Sequence, residues 1–252
     1  MATATALENM PPAPRGLFSG LLQQGYAVGY LLSASVNLTL VAQKGGDWRI
    51  LFWFGAGLSV FAALVRAVLP ESELYVRMAA ERRAQGHDAK QGSKAKVFMT
   101  QLKEMLRTHW SRCIYGVLLM TGFNFLSHSS QDLYPTMISN VKFAALGPTT
   151  ASQLASKATI VGNCGAIAGG TLAGYISQYL GRRLTIIAFV VLTGVLIPAW
   201  ILPNSFSGLA AGAFFIQFGV QGAWGVVPAY LSEISPPAFR ATYAGVAYQL
   251  GE

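Results

Sequence analysis

The segment Asn124-Phe-Leu-Ser127-His128-Ser129-Ser130-Gln131-Asp132-Leu-Tyr134-Pro135-Thr136 places a run of hydrogen-bonding side chains inside a long apolar stretch. Asn124, His128 and Asp132 recur every fourth residue and, on a helix, share a face with Gln131. His128 can donate to Asp132 one turn away, and histidine titrates near neutral pH. A His/Asp pair in a low-dielectric site is a candidate proton relay. An Asp at the centre of a membrane helix costs about 2.5 to 3.5 kcal/mol on insertion scales, so it is retained where it faces a wet cavity and acts there. Pro135 has no N–H for the Gln131 carbonyl, which predicts a free acceptor and a kink. The competing reading is that His128 and Asp132 only satisfy one another in a helix bundle; the density of polar groups around them favours function. A Ser/His/Asp hydrolase is the weaker alternative. Its three groups would crowd one helix, and no G-x-S-x-G elbow is present, so the chain is not read as an enzyme.

These residues need a scaffold, and composition says which kind. Of 252 residues, 53% are hydrophobic and 11% charged, against about 25% charged in soluble domains. Many of the charges gather between Arg66 and Arg112, leaving long windows nearly uncharged. That is the pattern of a membrane protein whose partner is the lipid bilayer. The net charge of +8 then reflects basic cytoplasmic loops rather than a nucleic-acid partner. Cys113 and Cys164 form no disulfide framework and show no metal spacing, and no metal or cofactor is expected. Met1–Pro14 lacks the basic start of a cleavable signal peptide.

A membrane helix takes about 20 mainly apolar residues. Six such spans are expected, at Gly16–Val41, Ile50–Leu69, Cys113–Ile138, Ala151–Ile176, Leu184–Leu202 and Phe206–Leu231, and a seventh begins near Ala241. The segments that hold most of the Lys and Arg fall on one side, which makes the 70–112 loop cytoplasmic. Within it, 71–83 is expected as an amphipathic surface helix and 85–93 as a flexible stretch. Lys157 lies inside span four, where it either snorkels outward or attracts an anion. Spans two and five carry few internal polar groups and are expected to face lipid.

Glu8-Asn-Met-Pro11-Pro12-Ala13-Pro14-Arg15 and Glu233-Ile-Ser-Pro236-Pro237-Ala238-Phe239-Arg240 both read E-x-x-P-P-A-x-R, and both precede an apolar span on the same side. Such internal repeats are a transporter signature. Glu and Arg of each copy are expected to pair and staple helix ends. If each half repeats one six-helix unit, the spans are helices five to ten and the start of eleven of a longer protein. The expected domains are 1–69 (the end of a first helical bundle), the loop 70–112, and 113–252 (the second bundle). G-x-x-x-G pairs at Gly16/Gly20, Gly25/Gly29, Gly165/Gly169 and Gly170/Gly174 let helices approach closely, either between the bundles or within one.

The string N-x-x-[ST]-H-x-[ST]-Q-D-x-x-x-T is met at Asn124, Ser127, His128, Ser130, Gln131, Asp132 and Thr136. It resembles the signature of fungal monocarboxylate/proton symporters of the lactate-permease (Jen) type, in the major facilitator superfamily. Gly16–Gly20, Leu22–Tyr26 and Gly222–Pro228 resemble the same family. Gly174-Tyr-Ile-Ser-Gln178-Tyr-Leu-Gly181-Arg182-Arg183 is similar to the superfamily loop G-x-L-x-D-x-x-G-R-R, with Gln178 in place of the usual Asp; that loop is therefore read as mainly structural. The resemblance implies an all-α polytopic fold in the plasma membrane and uptake of lactate, pyruvate or acetate with a proton. It implies substrate contacts from Asn124, Ser127, His128, Ser130, Gln131 and Thr136, and from Gln249 in a stretch like the family's eleventh helix. His128 and Asp132 would exchange the proton. Glu8, Arg15, Gly181, Arg182, Arg183, Glu233 and Arg240 would serve as a cytoplasmic gate or in a structural role at that face. The alternative is an inactive or regulatory truncated fragment of such a transporter.

Overall fold

The computed structural model describes residues 15–42, 45, 47–68, 94–235 and 240–251. Among them every regular element is helical: α1 (Arg15–Gln23), α2 (Gly25–Val36), α3 (Arg49–Val68), α4 (Lys94–Gln131), α5 (Leu133–Met137), α6 (Pro148–Leu180), α7 (Arg182–Ile201), α8 (Phe206–Ile234) and α9 (Arg240–Gly251). Two π-helical turns, Asn37–Val41 and Ile138–Lys142, extend α2 and α5. The repeat copy at Glu8, the 71–83 helix and the 85–93 stretch lie outside the described residues.

Two turns depend on glycine. Gly147 before α6 and Gly181 between α6 and α7 both have φ of +84°, a region side chains avoid. Pro148 then opens α6 at a position where its missing N–H costs nothing. Ser205 caps α8 by accepting from the Gly208 amide at 3.3 Å.

Three described helices, α3, α7 and α8, are long and apolar enough to cross a membrane by composition alone. The α1–α2 pair, α4 and α6 fall short because breaks or polar residues interrupt them. Span one is not continuous: it breaks at Gln24, whose side chain turns back to the Gly20 carbonyl at 3.2 Å. Near Pro135 the helix is interrupted at Asp132, between α4 and α5, although Asp132 keeps a helical backbone conformation. The central loop is also shorter than expected, because α4 begins at Lys94 and bends at His109 (φ −126°) before entering the third span.

Helix α8 is the centre of the structure, packing on α6, α7, α1 and α4, while α9 lies on α4. No residue of α3 is buried. One side of α7 shows Leu184, Ile187, Val191 and Val195 outward. Both faces are thus uncovered among the described residues.

The glycine pairs divide the work. Gly16 and Gly20 of α1 meet Gly174 and Gly170 of α6, while Gly165 and Gly169 meet the Phe214 and Phe218 carbonyls of α8. Gly25 and Gly29 meet nothing among the described residues. Beside the Gly20–Gly170 contact, the buried Ser19 hydroxyl donates to the Gly225 carbonyl at 2.9 Å and accepts from the Ala229 amide at 3.2 Å. It thus sits on one backbone rung of α8, next to Pro228.

The core is layered. One apolar cluster joins Met120, Phe123, Val220, Ala223 and Trp224 with Tyr243 and Ala247. A second joins Tyr134, Ile138, Ala155, Ala158, Leu209 and Ala213. Asn124, Ser127, Ser130, Gln131, Asn163, Gln217 and Gln221, all buried, lie on the same helices between the two clusters.

Candidate functional site

The polar segment spreads over two faces of its helix. Asn124, Ser127, Ser130 and Gln131 are buried, whereas His128, Asp132 and Thr136 are exposed. The single face expected for Asn124, His128, Asp132 and Gln131 is corrected accordingly. A four-residue step on a helix of 3.6 residues per turn drifts by about 40°, so the row from 124 to 132 turns through about 80° and crosses the edge of the buried surface.

On the exposed face, His128 Nδ1 and Asp132 Oδ2 are 2.6 Å apart, with the two side chains 47% and 40% exposed. The hydroxyl of Tyr30, on α2, donates to the other Asp132 oxygen at 2.7 Å. Asp132 therefore bridges its own helix to α2, with Tyr26 packed on the Tyr30 ring at 5.0 Å. Sequence reasoning missed Tyr30, because a tyrosine in an apolar run reads as packing.

On the buried face, Ser127 Oγ reaches Gln131 Oε1 at 3.5 Å. Ser130 Oγ donates to the Leu126 carbonyl at 2.8 Å and accepts from Gln217 Nε2 of α8 at 3.2 Å. Asn163 and Gln217 were also missed. Their signal was present: an amide in an apolar span, with Gln217 and Gln221 one turn apart.

Cavities follow the line where α2 and α5 meet α6. A groove of about 360 Å³ is lined by Tyr30, Ser33, Asn37, Thr136, Ser139 and Ser156 among others. It shares Asn37, Ser152 and Ser156 with a pocket of about 390 Å³ reaching Gly45 and Thr149. At its other end it shares Tyr30, Pro135 and Thr159 with a space of about 20 Å³ beside Gln131, Asn163 and Gln217. Asn37 Nδ2 donates to Ser156 Oγ at 3.0 Å where groove and pocket adjoin. Lys157 is exposed and is not among the lining residues of these three spaces. Gln249 is exposed on α9 and is likewise not brought to them. The cleft between α4 and α9, lined by Leu106, Ile114, Val117, Val246 and Leu250, is apolar and offers an acid nothing to bind.

At the arginine end, Arg182 Nε donates to Glu233 Oε1 at 3.1 Å, Arg182 Nη1 to Ser177 Oγ at 2.6 Å, and Arg183 Nε to the Tyr230 hydroxyl at 3.2 Å. Glu233 is thus joined to the Gly181-Arg182-Arg183 turn, whereas the pairing expected within each repeat copy involves atoms outside the described residues. Arg182 thus has a carboxylate partner although Gln178 stands at the usual Asp position. Arg15 opens α1 at the same end; Glu8 and the Arg240 side chain lie outside the described residues.

Apolar helices around a mid-depth polar layer, with polar cavities along the line between two helix groups, define a multi-pass membrane protein. The chain belongs to the major facilitator superfamily: the sequence model of the Major Facilitator Superfamily matches residues 1–251. It is similar to a carboxylic acid transporter protein homolog of Saccharomyces cerevisiae, 32% identical over 99% of this chain and 41% of that protein. It is also similar to the cis,cis-muconate transport protein of Acinetobacter baylyi, 24% identical over 97% of this chain and 56% of that protein. A probable 4-methylmuconolactone transporter of Cupriavidus pinatubonensis is 24% identical over 94% of this chain and 52% of its own length. The chain thus spans about half the length of these relatives. No solved structure matches it.

Proposed function

We propose that the protein to which this chain belongs is a proton-coupled symporter of short monocarboxylates such as lactate, pyruvate and acetate, in the plasma membrane. The observation that carries this reading is the Tyr30–Asp132–His128 chain of hydrogen bonds beside a polar groove. His128 and Asp132 hold and release the coupling proton. Ser127, Ser130, Gln131 and Thr136, with Asn124 deeper in the layer, supply hydrogen bonds along the substrate's path. Residues 1–69 close the first bundle, 113–252 form the second, and 70–112 is cytoplasmic. The groove then opens to the outer side, and rocking of one bundle on the other alternates access. The names of the yeast and bacterial relatives, which cite organic-acid transport, support the substrate class.

The test is uptake of labelled lactate driven by an inward proton gradient, in a full-length parent. His128→Ala and Asp132→Asn are each expected to abolish it at normal membrane levels; normal uptake in both variants would remove the proposed roles. The 252-residue chain, assayed alongside, is expected to show no uptake, because the pathway needs both bundles complete. Uptake by the chain itself would overturn that part of the reading.

A further inference from the structure

Gly225 and Ala229 of α8 stand four apart, so the carbonyl of the first and the amide of the second are partners in the helix ladder. The Ser19 hydroxyl of α1 touches both. It donates to the Gly225 carbonyl at 2.9 Å and accepts from the Ala229 amide at 3.2 Å. A side chain from a helix distant in sequence thereby bridges one rung of α8. Pro228 makes room for it: it has no N–H for the Trp224 carbonyl, and its ring spreads the ladder at that turn. Ser19 is fully buried. A Cβ added at Gly20 of α1 or Gly225 of α8 would run into the Gly170 carbonyl of α6, so three backbones meet around this hydroxyl.

The contact can come apart without stranding a polar group. When α1 withdraws, the Ala229 amide and the Gly225 carbonyl close on one another as helix partners do. The serine hydroxyl turns to the Arg15 carbonyl, one turn back on its own helix. An ordinary hydrogen bond between buried helices leaves a donor and an acceptor unpaired when it breaks, and each is costly to leave so. Ser19 leaves neither, yet it holds α1 on α8 for as long as the two helices touch.

We propose that Ser19 is a releasable latch at the arginine end of the molecule: its hydroxyl holds α1 on α8 while that end is closed, and the rung of α8 that heals behind it lets the end open during transport. The proposal rests on the transport reading above and assigns a conformational role to a residue outside the His128–Asp132 site.

Side-specific labelling in a cysteine-free full-length parent tests this. Gln178 of α6 packs against Gly16 of α1, so Gln178→Cys reports opening of the arginine end. Ser33→Cys, in the groove, reports the far end. A charged, membrane-impermeant maleimide is applied to intact cells for Ser33→Cys and to inside-out vesicles for Gln178→Cys. Ser19→Ala is expected to speed the reaction of Gln178→Cys about three- to tenfold, the worth of one net hydrogen bond, and not to speed that of Ser33→Cys. Ser19→Thr and Ser19→Val, matched in size, separate the hydroxyl from packing. Ser19→Thr is expected to stay near the wild-type rate and Ser19→Val to follow Ser19→Ala. Equal rates in wild type and Ser19→Ala would overturn the latch, as would equal rates in Ser19→Thr and Ser19→Val. A rise at both reporters, the sign of general loosening, would overturn it too. Should Ser19→Ala fail to reach the membrane, the Ser19→Thr and Ser19→Val pair decides. A Ser33→Cys that is not labelled from outside with Ser19 intact, or a parent without lactate uptake, overturns the transport reading and the latch with it.

Discussion

Asp132 is the residue on which the site turns, because each carboxylate oxygen has a different partner. One meets His128 from its own helix, the other Tyr30 from α2. A hydrogen bond to a charged group contributes roughly 1.5 to 3 kcal/mol, and here it also ties the His128–Asp132 pair to the neighbouring helix. Tyr30→Phe keeps the ring and its packing on Tyr26 but removes that tie. In the full-length parent it is expected to lower proton-driven lactate uptake several-fold at unchanged membrane level. Wild-type uptake in this variant would mean that the bridge is idle.

At the scale of elements, small residues decide where helices touch. Gly20 and Gly170 bring α1 and α6 into backbone contact, and Gly225 of α8 meets Gly170 at the same point. Without a hydrophobic drive between helices in lipid, such contacts and interhelical hydrogen bonds hold the bundle together, and the Ser19 hydroxyl adds one of each sense. Gly20→Leu is expected to destabilise by about 1 to 3 kcal/mol or more, since overpacking forces the helices apart. Gly25→Leu, facing open space among the described residues, is expected to change little. Thermal unfolding in detergent of the two variants checks the contrast; equal losses would contradict the packing described.

At the scale of the molecule, the α1–α2 pair lies along α6 in the opposite direction, from Gly16 at Gly174 to Asn37 at Ser156. The arginine end is closed by glycine contacts, whereas the far end holds cavities on either side of the Asn37–Ser156 bond. Both π-helical turns also begin there, at Asn37 and Ile138, and such turns are frequent at functional sites. If α2 and α6 must part at this end for substrate to enter, joining them will stop transport. Asn37→Cys combined with Ser156→Cys in the full-length parent is expected to lose uptake on oxidation and regain it with reductant. Uptake that survives a demonstrated cross-link would show that this end does not open.

The hydropathy of α3, α7 and α8 and the density of polar groups from Asn124 to Thr136 were legible from the chain alone, since both are local properties. So was the break near Asp132, because Pro135 removes a helix hydrogen bond wherever it stands. The family resemblance also rested on local strings. Tertiary structure decided the rest. Only packing against α6 and α8 sorts Gln131 to a buried face and Asp132 to an open one. Only the α1–α6 contact separates Gly16/Gly20, which touch, from Gly25/Gly29, which among the described residues do not. Tyr30 joins Asp132 across 102 positions, and Gln217 joins Ser130 across 87. Residues so distant in sequence share a site only because folded helices bring them together, and the spacing of residues along one helix does not encode which residue of another will face them.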